Sequence, residues 1–419
     1  MRVNAVDGGS PIIFANAAVV DGTSDMPHEG MHVLAEGGLI REVSDQPIRA
    51  SSARTIDLAG KCLMPGLIDC HVHVLATTPK LGENGMLPNT LVLARTFRLM
   101  QAMLMRGFTT VRDAAGADYG LKQAVEERLL PSPRLVICGK CLSQTGGHGD
   151  HRGRFDTRSA EFYLTRIGAF GRICNGVSEV RRAAREELKA GADFIKIAAN
   201  GGIASPTDPI TQIQYSRGEI EAIVEEACNA QTYVAAHVYS DESIRHAVEG
   251  GVHSIEHCNL VSERTAALMA ERGAIACPTL VAFEVLNDHG AKHGITEAAL
   301  EKVNAVRANG LRSLEILRKA GVMMVYGSDL GGWMQPHQSD EFTIRGRALP
   351  AHEVIRSATV NAAKLLRMEG QIGCIAAGAQ ADLIVVDGNP LKDLSVLGGQ
   401  GRHMPAIMQG GTLVKDEIN

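Results

Sequence analysis

The sequence predicts an α/β fold: a (β/α)8 TIM barrel with a small β-sandwich domain formed from both chain termini. Three observations carry this expectation. Short β-rich runs crowd the two ends of the chain, in residues 1–64 and 370–419. Between them, over residues 65–369, eight apolar β-rich segments alternate with helical patterns. Five of those eight segments end in His, Lys or Asp, and such barrels carry their functional side chains at strand C-termini.

The N-terminal part opens with two short apolar runs and a turn in residues 12–22. Further strands are expected at 31–34, 39–43 and 54–58, divided by Gly-rich and polar breaks. At the other end, 381–390 reads as a strand with a turn, and 405–414 as a hairpin around Gly410-Gly411. The central strands are expected at 66–69, 108–112, 134–138, 194–197, 233–236, 254–256, 274–277 and 322–326. Helical periodicity fills 90–106, 178–190, 216–230, 240–250, 262–272 and 296–320, and several of these begin on a Ser or Thr suited to N-capping. An open doubly wound sheet is the structural alternative. It would place a Gly-rich phosphate turn after its first strand, where this chain has His71-Val72-His73. Two connections at strand C-termini are long, 139–176 and 280–296, and such loops set specificity.

Composition narrows the function classes. A net charge of −5 without a polybasic run gives no basis for binding nucleic acid or an anionic membrane. No apolar stretch approaches the roughly 18 residues needed to cross a bilayer, and residues 1–16 make a poor signal peptide. Nine scattered cysteines, an odd number, point to free thiols in a reducing compartment, hence a cytoplasmic protein. Cys138 and Cys141 have Cys-x-x-Cys spacing, but no second pair follows at zinc-ribbon distance.

The chemistry concentrates at the strand ends. In Asp69-Cys70-His71-Val72-His73 the two imidazoles sit at i and i+2 of a strand, so they share a face and can converge on one metal ion. Lys196 interrupts the apolar fourth strand, His237 ends the fifth, His257 the sixth and Asp329 the eighth. A buried ammonium is costly and has no lone pair for a metal. Lys196 is therefore either paired with a nearby carboxylate or converted by carbon dioxide to a carbamate, an anionic group able to bridge two metals.

His71, His73, Lys196, His237, His257 and Asp329 fill every position of the pattern in the amidohydrolase superfamily, which the chain resembles over nearly its whole length. Finer likeness lies in Thr109-Thr110-Val111-Arg112-Asp113, Gly146-Gly147-His148-Gly149-Asp150, 196–202 and Ala236-His237-Val238-Tyr239. These segments are similar to the branch related to imidazolonepropionase, and within it to prolidase-like and carboxypeptidase-like binuclear metallopeptidases. That branch also includes amidases acting on ochratoxin.

The resemblance implies two divalent metals, with zinc best suited to these donors and manganese or iron also compatible. His71, His73 and Asp329 would hold the more buried ion and His237 with His257 the other. Lys196, as N6-carboxylysine, would bridge them. It implies attack of a metal-bridging hydroxide on the amide of a dipeptide (Xaa-Pro or Xaa-hydrophobic) or an N-acyl amino acid, with Asp329 as proton shuttle. It also implies Tyr239 and His148 as substrate or oxyanion contacts, and a homo-oligomer acting on a small molecule.

Asp113 is expected to brace the site. His337 and Asp340, after the eighth strand, are candidate substrate contacts. Lys140, Arg152 and Arg154 are either carboxylate binders or solvated surface groups. Competing functions are a deaminase or cyclic-amide hydrolase of the same superfamily, a phosphotriesterase-type lactonase, and a non-catalytic amidohydrolase-like scaffold. The bridging lysine weighs against the deaminase, the terminal strands and Gly-Gly-His loop against the lactonase, and the full ligand set against the scaffold.

Overall fold

The structure, a computed structural model, describes residues 10–418. The expectation that the N-terminus is a poor signal peptide rests largely on residues 1–9, outside the described residues, as do the outermost residues, 1–9 and 419, assigned to the terminal domain.

In chain order the strands are β1 (Ile12–Val19), β2 (His28–Glu36), β3 (Leu39–Ser44), β4 (Arg54–Asp57), β5 (Cys62–Pro65), β6 (Leu67–Val72), β7 (Phe108–Asp113), β8 (Arg134–Ile137), β9 (Cys141–Ser143), β10 (Gly171–Ile173), β11 (Ile195–Ala198), β12 (Val234–Ser240), β13 (Ser254–Leu260), β14 (Ile275–Cys277), β15 (Leu383–Val386), β16 (Ala406–Gln409) and β17 (Thr412–Asp416). The terminal strands hydrogen-bond into one sheet of order β17-β16-β15-β5-β1-β2-β3, with β4 beside β1. By pairing, the terminal strands make one continuous sheet. Phe14, Val33, Leu63 and Leu383 pack within one apolar core, while Ile13, Ala15 and Leu34 form a small cluster of their own. The two apolar runs of residues 12–22 are one strand with a bulge, where Asn16 takes φ +53° and the register to β2 shifts.

The central strands are parallel and form two sheets, β6-β7-β8 and β10-β9-β11-β12-β13-β14. Each of β6 to β8, and each of β11 to β14, lies beside its successor, without the order reversal of a doubly wound sheet. Among the described residues the ladders do not close into a barrel. The expected eighth strand at 322–326 is not a strand. It makes a single bridge, Ala276 to Met324. It nevertheless spans the gap between the two sheets: Val325 N–H donates to Ala276 O (2.9 Å) and Cys70 N–H to Tyr326 O (2.8 Å). The third strand is also interrupted. It stops at Ile137, passes Gly139 at φ +69°, and resumes as β9 in the other sheet.

The helices largely follow the periodicity. Ser216, Ser240, Ser262 and Thr296 cap the helices that follow them, and Ser216 forms a full capping box with Glu219. Two expectations need correction. The span 296–320 is two helices, Glu297–Arg307 and Gly310–Lys319, broken at Asn309. The presumed loop 280–296 begins with a helix, Leu280–His289, whose Val281, Ala282, Phe283 and Val285 are all buried. A helix apolar on most faces has no 3.6-residue stripe to betray it. No helix among the described residues is long and apolar enough to cross a membrane. All nine cysteines are free thiols, so Cys138 and Cys141 are not bridged.

Candidate active site

The C-terminal ends of β6, β11, β12 and β13 and the turn at 327–329 bring His71, His73, Lys196, His237, His257 and Asp329 to the wall of one cavity. Asp69 ties two of these elements together. Its Oδ1 accepts from His71 N–H (3.0 Å) and its Oδ2 from the Ser328 hydroxyl (2.5 Å), while Asp329 N–H donates to His71 O (2.8 Å). Space is tight there: a Cβ on Gly327 would stand 2.9 Å from His71 Cβ and 2.6 Å from Cys277 Sγ. His257 and Asp329 both hold positive φ, +72° and +55°. Left-handed backbone at non-glycine residues costs roughly 1–3 kcal/mol each, and it is held here by the surrounding bonds.

Each imidazole is oriented from behind. His71 donates from Nδ1 to Glu256 Oε2 (2.7 Å), and His73 from Nδ1 to Ala115 O (3.3 Å). With the proton fixed on Nδ1, the Nε2 lone pair of each ring faces the cavity. Both lone pairs aim at the same carboxylate oxygen: Asp329 Oδ1 lies 3.4 Å from His71 Nε2 and 3.1 Å from His73 Nε2. Three acceptors directed at one point suit a cation between them. Consistent with this, His73 is raised above its ordinary pKa, because Asp329 outweighs the opposing effect of burial; a proton can take the cation's place. Asp329 itself is held well below the carboxylate range, since His71 and His73 outweigh its burial.

Across the cavity, His237 Nδ1 faces His257 Nε2 at 2.9 Å, and His257 Nδ1 shares a hydrogen bond with Thr279 Oγ1 (2.8 Å). Burial pushes both rings well below the usual imidazole pKa, and they stay neutral, the form that binds metal. His237 Nε2 is buried without a hydrogen-bond partner. His71, His257 and Asp329 form a compact set of potential metal donors. A second set, His71, Glu256 and Cys277, is also compact, but Glu256 is already committed to Arg112. Lys196 is 3% exposed and lines the cavity, and among the described residues no carboxylate lies within ion-pair distance of it.

Asp113 accepts from Val74 N–H (2.8 Å) and Ala117 N–H (3.0 Å), bracing the turn after His73; burial pushes its carboxyl up to about 6. His148 stacks on His237, with ring centroids 4.0 Å apart at 19°. Tyr239 meets the His237 ring edge-on at 4.6 Å, and both line the cavity. His337 does not join them. It lies outside the cavity lining, bonded to Asp340 at 2.8 Å. Lys140 is spent on the carbonyls of Arg166 (2.7 Å) and Ala169, and Arg152 on the Asp150 carboxylate (2.7 Å). Arg154 is exposed.

Sequence reasoning missed the groups behind the site. Arg112, fully buried, grips Glu256 with Nη2 at 2.8 and 2.9 Å, and Ser254 Oγ donates to the same carboxylate (2.6 Å). The signal was present: Arg112 is a cation inside an apolar strand, as Lys196 is. His151, which also lines the cavity and has a buried, unpartnered Nδ1, had no motif to mark it.

Comparison with known proteins places this geometry. The model of the amidohydrolase family matches residues 62–412. A crystal structure of a prolidase complexed with N-methylphosphonate-L-proline is similar over 97% of this chain and 100% of that one, at 49% identity and TM-score 0.95. A Xaa-Pro dipeptidase structure with methionine bound in its active site matches over 97% of this chain and 100% of its own, at 27% identity and TM-score 0.85. Ochratoxinase of Aspergillus niger is 31% identical over 378 residues, 84% of this chain and 75% of the relative.

Proposed function

The chain belongs to the amidohydrolase family of hydrolytic enzymes, and from that premise we propose that it is a binuclear metal-dependent peptidase or amidase. Its substrates are dipeptides of the Xaa-Pro or Xaa-hydrophobic kind, or N-acyl amino acids. The observation that carries the proposal is the convergence of the His71, His73 and Asp329 lone pairs on one point, beside the facing nitrogens of His237 and His257. The same reading takes the two parallel sheets as arcs of one (β/α)8 barrel over 65–369, set beside a terminal β domain from 1–64 and 370–419.

The residues fit two divalent ions, best zinc. His71, His73 and Asp329 would hold one, His237 and His257 the other, and Lys196 as N6-carboxylysine would serve both. The position of Lys196 on the cavity wall, with no carboxylate within ion-pair distance among the described residues, supports that last role. When bound, the pair would supply Lewis-acid polarisation of the scissile carbonyl and a water of lowered pKa.

The chain's own groups do the rest. Asp329 accepts a proton from the attacking water and passes it to the departing nitrogen, which leaves as an amine rather than an anion. Tyr239 and His148, standing over His237, offer donors to the substrate oxygens. Phe170, Ile203, Phe283, Leu286 and Met334 supply an apolar wall, which suits an apolar group on the acyl side and keeps bulk water out. The cysteines, free throughout the described residues, support a cytoplasmic location, and the family resemblance supports a homo-oligomer.

The test is metal content together with a hydrolysis screen of dipeptides and N-acyl amino acids. Protein produced with added zinc and bicarbonate is compared with Lys196→Ala. Two metals per chain and amino acid release, both lost in the variant, is the expected result. One metal with ammonia release from cyclic amidines would overturn it in favour of a deaminase.

A further inference from the structure

His148 and Tyr239 reach the cavity from different segments, yet one loop holds both. That loop, residues 199–215, follows β11. Its Asn200 Oδ1 accepts from Tyr239 N–H (2.8 Å) and Ser240 N–H (3.1 Å). Its Ser205 Oγ bonds His148 Nδ1 (2.9 Å), and its Gln214 Oε1 accepts from His148 N–H (2.9 Å). Asp208 knits the loop together by accepting from Gly202 N–H and Gln214 Nε2, each at 3.0 Å. Gly202 lies so close beneath His148 that a Cβ there would stand 1.9 Å from the ring. The position of the His148 ring is therefore set by the path of this loop.

One side chain from outside fixes that path. Lys302 projects from the Glu297–Arg307 helix and donates to two loop carbonyls, Gly202 O (2.9 Å) and Asp208 O (2.8 Å). Among the described residues it has no carboxylate within ion-pair distance, so its charge is spent on the loop. The same helix sends Val303 and Val306 into a small core with Tyr239 and Phe283, against which Ile203 and Ile210 of the loop pack. Three side chains of one helix thus grip the loop and the Tyr239 ring together.

We infer that Lys302 is a positioning residue of the active site: it clamps the 199–215 loop and so places His148, and with it Tyr239, against the substrate. Lys302 lies outside the cavity lining and acts only through the loop. The ammonium's tetrahedral donors reach two carbonyls at once, a task that Arg can partly take over and Met cannot.

The experiment uses the full-length zinc-loaded protein and the variants Lys302→Met, Lys302→Arg, Ser205→Ala and the double variant Lys302→Met/Ser205→Ala. The kinetic arm, with leucyl-proline, rests on the peptidase reading. Lys302→Met and Ser205→Ala are each expected to lower kcat/KM about tenfold or more with metal content unchanged, because small misplacements of a contact group are felt strongly. Lys302→Arg should recover most of the loss. The double variant should be no worse than the worse single, since both act on one ring. The second arm needs no turnover: NMR of imidazole-15N-labelled histidine, with the His148 signals identified by their absence in His148→Gln. Those signals should shift in Lys302→Met and return in Lys302→Arg. A wild type inactive on amides would defeat the peptidase reading alone, leaving the NMR arm to decide. Unmoved His148 signals in Lys302→Met would overturn the clamp, as would additive losses in the double variant.

Discussion

His71 and Glu256, which lie on β6 and β13, are joined by a 2.7 Å hydrogen bond from Nδ1 to Oε2, and Arg112 closes on the same carboxylate from behind. Burial alone would push Glu256 up, but Arg112 holds it well below the carboxylate range. An ionised Glu256 fixes the His71 proton on Nδ1 and leaves Nε2 for the cavity.

Removing either partner should show in different ways. Glu256→Gln keeps the shape but lowers the basicity of His71, and zinc affinity should fall about 10–100-fold with the fold intact, read by competition with a chelating dye. Arg112→Met leaves a buried carboxylate without its cation and should cost about 3–5 kcal/mol in urea unfolding.

Asp329 bears on both His71 and His73 and is the proposed proton carrier. Asp329→Asn should lower kcat by about 10²–10⁴-fold, with KM changed much less. The steady-state constants on one dipeptide check this.

Gly202→Ala places a methyl group where the His148 ring sits. The expected outcome is a loss of about tenfold or more in kcat/KM with both metals retained, as a displaced contact predicts. Metal analysis alongside kinetics separates this from collapse of the site.

Metal removal should destabilise the whole molecule, because converging lone pairs are left facing one another. Chelation should lower the unfolding free energy by about 4 kcal/mol where zinc had been a thousandfold above its Kd. Calorimetry with and without chelator reports it.

Lys140 gives a pH signature remote from the metals. Burial pulls its amine down from 10.5 to about 8 in the folded chain. Between about pH 8 and 10.5 the unfolded state binds the extra proton, so folding stability rises with pH in that window, by up to about 1.4 kcal/mol for each unit. Lys140→Met should lack this slope. Urea midpoints of the two proteins at pH 8 and 10 are the measurement.

The site was more legible in the sequence than its frame. His71 and His73 share a face because a strand has period two. Lys196, His237 and His257 stood out as polar residues ending apolar runs. The eighth segment misled because an apolar stretch does not declare whether it will make a ladder: 322–326 exchanges two hydrogen bonds with Ala276 of β14 and accepts one from Cys70 of β6 instead. The Leu280–His289 helix was hidden by burial on nearly every face. Ser205, Asp208, Gln214 and Lys302 were beyond reach for another reason. Their roles depend on a loop path that no periodicity encodes, and Lys302 lies about a hundred residues from the carbonyls it holds.

The pairing of β5 with β15 also sets a schedule for the growing chain. β5 is complete at residue 65, but the strand that covers its free edge begins only at residue 383. At a synthesis rate of about 5–20 residues per second, that edge waits on the order of tens of seconds. During that interval Leu63 and Met64 sit on an open strand edge, the kind that recruits other chains. The central units can form while the ribosome is still at work, whereas the terminal sheet is completed only when β15 to β17 emerge. Losses of yield during expression should therefore trace to the two ends of the chain, even where a substitution leaves the finished enzyme unharmed.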